Sequence, residues 1–264
     1  MTEFKFKYSE FVAYSEIIPA GKSITKAYGE EDKIPSRSGT FSFTETKSFE
    51  EALSLATDGW DVGLSELPQE KPTEVESGIE IHQDVEGSSV HIGNFLEGRP
   101  DNMNRVESKI EWEYPPLTIY INLTYSWAIK AKTALKHCAD IIDLVNELQT
   151  RNNIKIVGVF ETDQRRSNAH RIDVIIKDFD ERFVINNIAF AFHPSFYRRL
   201  YFAALEHHDF IDTDGYGKVA GDNKVQERSF KDHDGFGKAA YLPSVHHVNT
   251  SADYKTQLRW KEEN

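Results

Sequence analysis

Apolar residues change their spacing twice between Pro115 and Glu161. From Pro115 to Ser126 the chain reads Pro-Pro-Leu-Thr-Ile-Tyr-Ile-Asn-Leu-Thr-Tyr-Ser, an apolar strand running into a polar hinge. From about Trp127 to Thr150 the apolar positions Ala131, Leu135, Cys138, Ile142, Val145 and Leu148 recur at steps of three and four, which places them on one face of a helix. A second apolar strand, Ile154–Glu161, follows. Strand, long amphipathic helix and strand make a β-α-β unit, because parallel neighbours need a crossover that packs back onto the sheet. The unit predicts an α/β fold with a buried, mostly parallel sheet and helices against its faces. Any site is expected at the carboxyl end of the first strand, where such sheets leave a crevice.

Elsewhere the pattern is less regular. The stretch Phe4–Ile18 mixes aromatic and polar residues and fits helix or strand. Alternation over Thr40–Thr44 predicts a short strand, and Ser48 with Glu51 predicts a capping box opening a helix, about Phe49 to Thr57, that stops at Gly59. An acidic, proline-containing loop from Gln69 to Ser77 leads to two possible short strands, Ile79–Ile81 and Val90–Ile92, and Asn94–Pro100 reads as a turn-rich connector. Beyond the central unit, Arg171–Lys177 reads as a third strand close enough to the second for an antiparallel hairpin at the sheet edge. Pro194 suits the first turn of a helix reaching about Glu206, with Phe196, Leu200 and Ala203 or Ala204 as its buried stripe. From His207 the chain is rich in Asp, Gly and His, and Asp-x-Asp-Gly-aromatic-Gly-Lys occurs at Asp212–Lys218 and again at Asp232–Lys238. These signals divide the chain into an α+β amino-terminal region (1–112) packed on the core, an α/β core (113–215) and a carboxyl-terminal turn and hairpin segment (216–264).

Composition narrows the function classes. The chain has 264 residues, 39% of them hydrophobic, enough for a sizeable core. With 43 acidic against 31 basic residues its formal charge is -12, which opposes nucleic acid and anionic membrane except through a local basic patch. A single cysteine, Cys138, rules out an intramolecular disulfide and fits a cytoplasmic protein. No apolar run approaches the roughly 18 residues that a spanning helix needs, and the first residues do not resemble a signal peptide. No membrane partner is expected.

The hinge Asn122-Leu-Thr-Tyr-Ser126 carries the candidate chemistry. Alternate residues at a strand end share a face, so Asn122, Thr124 and Ser126 can aim three oxygens at one point, suited to a hard cation or an anion. A strand ending in Asp-x-Ser-x-Ser, then a helix, further strands and helices and a late Thr-Asp-Gly, is the pattern of von Willebrand factor A domains with their metal-ion-dependent adhesion site. Asn122, Thr124 and Ser126 stand where the first motif would stand, His193-Pro194 where many members carry Gly-Thr-Pro, and Thr213-Asp-Gly215 resembles the late motif. The chain resembles a degenerate member: Asn122 replaces the leading acid and His193 the second-loop threonine, and each lost carboxylate weakens a magnesium site. The capping alternative is that these three residues satisfy the first amides of the helix.

Short stretches along the rest of the chain, among them Ser48–Ala52, Leu55–Trp60, Gly87–Val90, Gly98–Pro100 and Arg198-Arg199-Leu200, are similar to an uncharacterised phage-encoded family carrying such a domain. The resemblance implies a non-enzymatic protein-interaction module with a protein partner, of the kind that works beside an ATPase or another nucleic-acid-processing protein. Partner-binding residues would then be Asn122, Thr124, Ser126, His193 and Asp214, with no cofactor, or a weakly held magnesium on Thr124, Ser126 and Asp214.

Two other classes compete with that reading. A metal-dependent enzyme acting on nucleotides or nucleic acid would use the carboxyl-terminal aspartates with His193, His207, His208, His246 and His247. A single-stranded nucleic-acid-binding protein would use Arg165, Arg166, Arg198 and Arg199 with the aromatic residues around the second pair. The two Asp-x-Asp-Gly segments fail as calcium loops, since the twelfth positions are Asn223 and Pro243 where a carboxylate is required. They read better as turns.

Overall fold

The computed structural model describes residues 2–19, 35–60, 67, 77–110, 114–163, 169–181, 185–208, 216, 218–245 and 257–262. In chain order its strands are β1 (Thr2–Lys7), β2 (Ser77–Asp84), β3 (Ser89–Val90), β4 (Met103–Ile110), β5 (Pro116–Asn122), β6 (Asn153–Asp163), β7 (His170–Lys177), β8 (Lys218–Val219), β9 (Lys238–Leu242) and β10 (Arg259–Trp260). The chain forms two compact units, one from Met1–Lys71 with Pro116–Asn264 and one from Pro72–Pro115.

In the larger unit β5 runs parallel to β6, Leu117 opposite Ile154 and Asn122 opposite Val159, and the helix Ala131–Leu148 joins them. This is the crossover that the hydrophobic pattern predicts. β7 lies antiparallel beside β6, and β9 parallel on the other side of β5. The sheet order is β1-β7-β6-β5-β9-β10, with the two-residue β8 paired to the end of β6. β7 is therefore not an edge strand: β1 pairs with it in parallel from Thr2↔His170 to Lys7↔Ile175.

Period-two alternation divides the sheet into two faces. Leu117, Ile119, Ile121, Phe160, Ile172, Val174 and Leu242 join one large core with the helices Tyr8–Ile17, Phe49–Asp58, Ala131–Leu148 and the segment 190–205. Their neighbours Tyr120, Val157, Val159, Ile175, Ala239 and Tyr241 face the opposite way, toward Val225 on the helix Asp222–Lys231. Among the described residues helices thus cover both faces, heavily on one and by the helix Asp222–Lys231 on the other.

Several elements differ from the sequence reading. The undecided stretch Phe4–Ile18 contains both candidates, the end of β1 and the helix Tyr8–Ile17. Thr40–Thr44 is no strand: Phe41–Thr44 is one helical turn in which the Thr44 hydroxyl and amide both return to the Thr40 carbonyl. Ser48 does open the helix Phe49–Asp58, its Oγ accepting the Glu51 amide at 3.1 Å. The helix after Pro194 begins with a π-helical stretch, Phe196–Tyr201, and continues as Phe202–His207. It has no single buried stripe, since every residue from Phe196 to Glu206 is buried, as befits a helix enclosed by protein. The segment 216–264 supplies the helix Asp222–Lys231 and three strands of the sheet, β8, β9 and β10, and is therefore more than a turn and hairpin segment. Eight of that helix's ten residues are polar or charged, and Val225 and Ser229, with the partly buried Phe230, suffice to face the sheet.

The smaller unit is an antiparallel sheet of order β2-β4-β3 with a short helix, Ile92–Leu96. Gly87 is required there, because a Cβ at that position would lie 2.3 Å from the Asn104 carbonyl oxygen. Ile81 belongs to an expected strand; Ile92 instead opens the helix, whose first turn is capped by the His91 ring accepting the Asn94 amide.

Candidate functional site

At the carboxyl end of β5, Asn122 and Thr124 do meet, but they face inward. Asn122 and Thr124 are fully buried. The Asn122 side-chain amide donates to Asp222 Oδ1 at 2.8 Å, and its own Oδ1 accepts the Thr124 amide at 3.1 Å. Thr124 Oγ1 accepts the Glu161 amide at 2.8 Å, which ties the end of β5 to the end of β6. Asp222 Oδ1 also accepts the Tyr241 hydroxyl at 2.7 Å and the Ser244 amide at 3.0 Å, while Ser244 Oγ donates to the Thr124 carbonyl at 2.7 Å. Burial, reinforced by the Asp222 carboxylate, pushes the Tyr241 phenol far above its usual pKa, so it remains a neutral donor. The result is a hydrogen-bonded hub joining β5, β6, β9 and the helix Asp222–Lys231.

This hub neither caps the crossover helix nor fits magnesium. The helix starts at Ala131, with Lys130 as its N-cap and no side-chain cap, four residues later than expected. Residues 126–130 form a loop held by the buried Arg198, whose Nη2 donates to the carbonyls of Ser126 at 2.6 Å and Ile129 at 2.8 Å. Nη1 of the same side chain donates to the Phe43 carbonyl at 2.6 Å. A resident guanidinium thus gathers the oxygens of the hinge, and the side-chain oxygens of Asn122 and Thr124 are already committed to backbone amides. Asn122 and Thr124 thus offer a hard dication no open face.

His193 is buried too, its Nδ1 accepting the Ser195 amide at 3.1 Å and its ring packed on Phe190 and against the edge of Trp60. Burial, with a smaller contribution from the Arg198 charge, lowers its pKa to about 3. Of the partner-binding residues suggested by the sequence, Asn122, Thr124 and His193 are therefore enclosed, and Ser126 is half-buried. Asp214 lies outside the described residues, as do Arg165, Arg166, His246 and His247.

The Arg-aromatic helix is corrected in the same way. Arg198 and Arg199 are 1% and 0% exposed. Arg199 donates to the carbonyls of Ser36, Gly39 and Thr46 and to the hydroxyls of Thr44 and Thr46, at 2.7 to 3.1 Å. Its guanidinium pins the segment 36–46 to the central helix and has no face left for a phosphate.

On the other sheet face a second charged group is enclosed. Arg171 forms a two-pronged pair with Asp173 at 2.7 and 2.8 Å and donates to Ser229 Oγ at 3.1 Å. Arg228 bonds Glu161 Oε1, and Glu161 Oε2 lies 3.9 Å from Arg171. Burial raises the Glu161 pKa while the two arginines oppose the shift. These bonds dock the otherwise polar helix Asp222–Lys231 onto the sheet.

Two features remain open to solvent near the hinge. Trp127 is 77% exposed, immediately after Ser126, and Phe41 is 58% exposed on the segment that Arg198 ties to the same loop. Lys130 strengthens that tie by bonding the Ser42 carbonyl and pairing with Glu45 at 3.1 Å. Among the described residues no group of three or more His, Cys, Asp or Glu side chains is placed to hold a metal ion. His208 instead bonds the Tyr14 hydroxyl at 2.8 Å and stacks on Phe4. No helix among the described residues is long and apolar enough to cross a membrane.

Residues 7–259 match the family described as Domain of unknown function (DUF7192). The chain belongs to this family. No curated protein and no solved structure matches it. The match covers both compact units, so the hub around Asp222 and the small antiparallel sheet fall within one family domain.

The sequence reading missed Asp222, Tyr241, Ser244, Glu161 and Arg198 as the members that hold the hinge together. Asp222 had one legible signal, an acid in the first turn of a helix following Gly221. Nothing local marks the others, since their partners lie 19 to 155 residues away.

Proposed function

We propose that this chain is a non-enzymatic protein-interaction module, an A-domain-like sheet whose adhesion-type site has become a closed structural hub and whose partner docks on the surface beside it. The strand order β7-β6-β5-β9, with β7 antiparallel and a helical crossover from β5 to β6, supports the A-domain-like reading. Asn122 supports the degenerate site: its amide supplies to Asp222 the hydrogen bond that an acid there could supply only if protonated.

The observation that carries the proposal is Trp127, a large apolar side chain left 77% exposed at the strand end where such sheets bind their ligands. Tryptophan is enriched among the residues that dominate interface energies. A protein partner working in the cytoplasm, an ATPase among the candidates implied by resemblance, would contact Trp127, Phe41 and the rim around Ser126. The test is affinity capture from cells that naturally carry the protein, with wild type, Trp127→Ala and Trp260→Ala as baits. Trp127→Ala should lose a partner that wild type and Trp260→Ala both retain, with its melting temperature unchanged. Equal capture by all three baits would refute the docking site.

A further inference from the structure

The turn Asp232–Lys238, read from sequence only as a turn, lines a cavity of about 720 Å³ together with the last described strand. Lysines 238 and 261, Trp260, Gly235, Gly237 and Glu262 are among the residues around it. We propose that this cavity is a binding site for a nucleoside phosphate, the base stacking on Trp260 and the phosphate held by Lys238 and Lys261.

The volume lies within the range of small-molecule sites, about 300–1,000 Å³. Trp260 lines the cavity and is 47% exposed, so its side chain is open to a ligand. Aromatic stacking is indifferent to which base is bound, since every base has a π-face. Lys238 and Lys261 give the lining two positive charges against the single negative charge of Glu262, while Asp232 and Asp234 of the same turn lie outside the lining. The two lysines can pair with a phosphate, and the Glu262 carboxylate is an acceptor suited to the hydroxyls of a sugar.

The turn that lines the cavity is built in advance. Gly235 and Gly237 take φ of +81° and +73°, and a Cβ on Gly237 would meet the Pro116 carbonyl oxygen at 2.3 Å, so the turn is seated against the first residue of β5. Asp234 Oδ1 accepts the Phe236 amide at 2.9 Å, closing the turn on itself. Beneath it the buried His233 ring lies 3.4 Å from both the Tyr120 hydroxyl and the Gly237 carbonyl. On the other side Lys261 is fixed by its amide, which donates to the Ala239 carbonyl at 2.9 Å. A ligand entering this cavity therefore meets side chains mounted on paired strands and a turn of fixed shape, which lowers the ordering cost of binding.

The experiment is calorimetric titration of the full chain with ADP and with GDP, at low and at physiological salt, beside inorganic phosphate as a control. Variants Trp260→Leu and the double variant Lys238→Ala/Lys261→Ala are titrated in parallel, each checked for an unchanged melting temperature. Saturable binding of both nucleotides is expected, weakened about tenfold or more by Trp260→Leu, weakened by added salt and by the double lysine variant, and much stronger than binding of phosphate alone. No saturation by about 5 mM nucleotide, a millimolar limit for a specific small-ligand site, would overturn the proposal. Binding that both variants leave unchanged would overturn it as well.

Discussion

Asn122→Asp changes one atom type at the centre of the hub and tests whether that hub is closed by a hydrogen bond. The Asn122 amide nitrogen sits 2.8 Å from Asp222 Oδ1, and both residues are buried. An aspartate of the same shape puts two carboxylates at that separation, where like charges at an effective dielectric of about 20 repel by about 6 kcal/mol. The folded variant avoids this by keeping a proton between them. Its carboxyl pKa then rises above the unfolded value of about 3.9, and the loss of stability at pH 7 is capped near the work of protonating it, about 1.4 kcal/mol per unit over roughly three units, or about 4 kcal/mol. The sign follows from proton counts. Below about pH 4 both states of the variant carry the proton and it matches wild type; as pH rises the unfolded state releases it first, so stability falls toward neutrality. Thermal melts of wild type and Asn122→Asp from pH 4.5 to pH 7.5 should show a gap that widens with pH, reaching about 8–16 °C at neutrality if each kcal/mol moves the midpoint by about 2–4 °C. A gap of the same size at every pH, or none at pH 7, would refute the account of the hub.

The remaining expectations use the same kind of comparison. Gly237→Ala should destabilise the larger unit by about 2 kcal/mol or more, since it combines a positive φ with a 2.3 Å clash on backbone, whereas Gly235→Ala, with open space around it, should cost only the conformational strain of about 1 kcal/mol; equal effects in chemical denaturation would contradict the seating of the turn. His193 and His137 both have pKa values lowered to about 3, chiefly by burial. Between about pH 6.5 and pH 3 the unfolded state binds protons at these positions that the native state does not, so stability falls on acidification by up to about 1.4 kcal/mol per pH unit for each. His193→Asn, which keeps an acceptor for the Ser195 amide, should show a shallower acid decline than wild type, and an identical decline would show that His193 is not held neutral.

What was legible in the sequence was whatever repeats over several residues. The β5, crossover and β6 unit shows its period at Leu135, Cys138, Ile142 and Val145, and Ser48 announces its helix because the capping partner is three residues away. The helix Asp222–Lys231 hid its period by having almost no apolar face, and it is held instead by Glu161–Arg228 and Arg171–Ser229 contacts that sequence spacing does not encode. The hinge is the instructive case. Asn122, Thr124 and Ser126 sit at the strand end, as their alternation implies, yet alternation says nothing of whether that face meets solvent. That was decided by Asp222, Tyr241 and Ser244, residues 100 to 122 positions away from Asn122, arriving from the carboxyl-terminal segment. Arg198 and Arg199 misled for a related reason: a paired arginine among aromatics has the composition of a phosphate site, but here both guanidinium groups satisfy carbonyls of the irregular segments 36–46 and 126–129.

Those two arginines also explain how an irregular strand end is held together by the chain's own side chains. Carbonyls of Phe43, Ser126 and Ile129 converge from two segments that contribute no regular backbone pairing of their own at that point, and burying them unpaired would be costly. A planar guanidinium with five donors can satisfy all three from a single residue, which a lysine's compact ammonium does less well. Because Arg198 stands on a helix enclosed by protein, its position is fixed by core packing and not by occupancy of a site. The loop that carries Trp127 is thereby ordered as soon as the central helix packs, and the cation that organises it is part of the chain. At the end of β5 the Asn122 amide donates to Asp222, a pairing that two carboxylates could make only with a proton or a counter-charge between them.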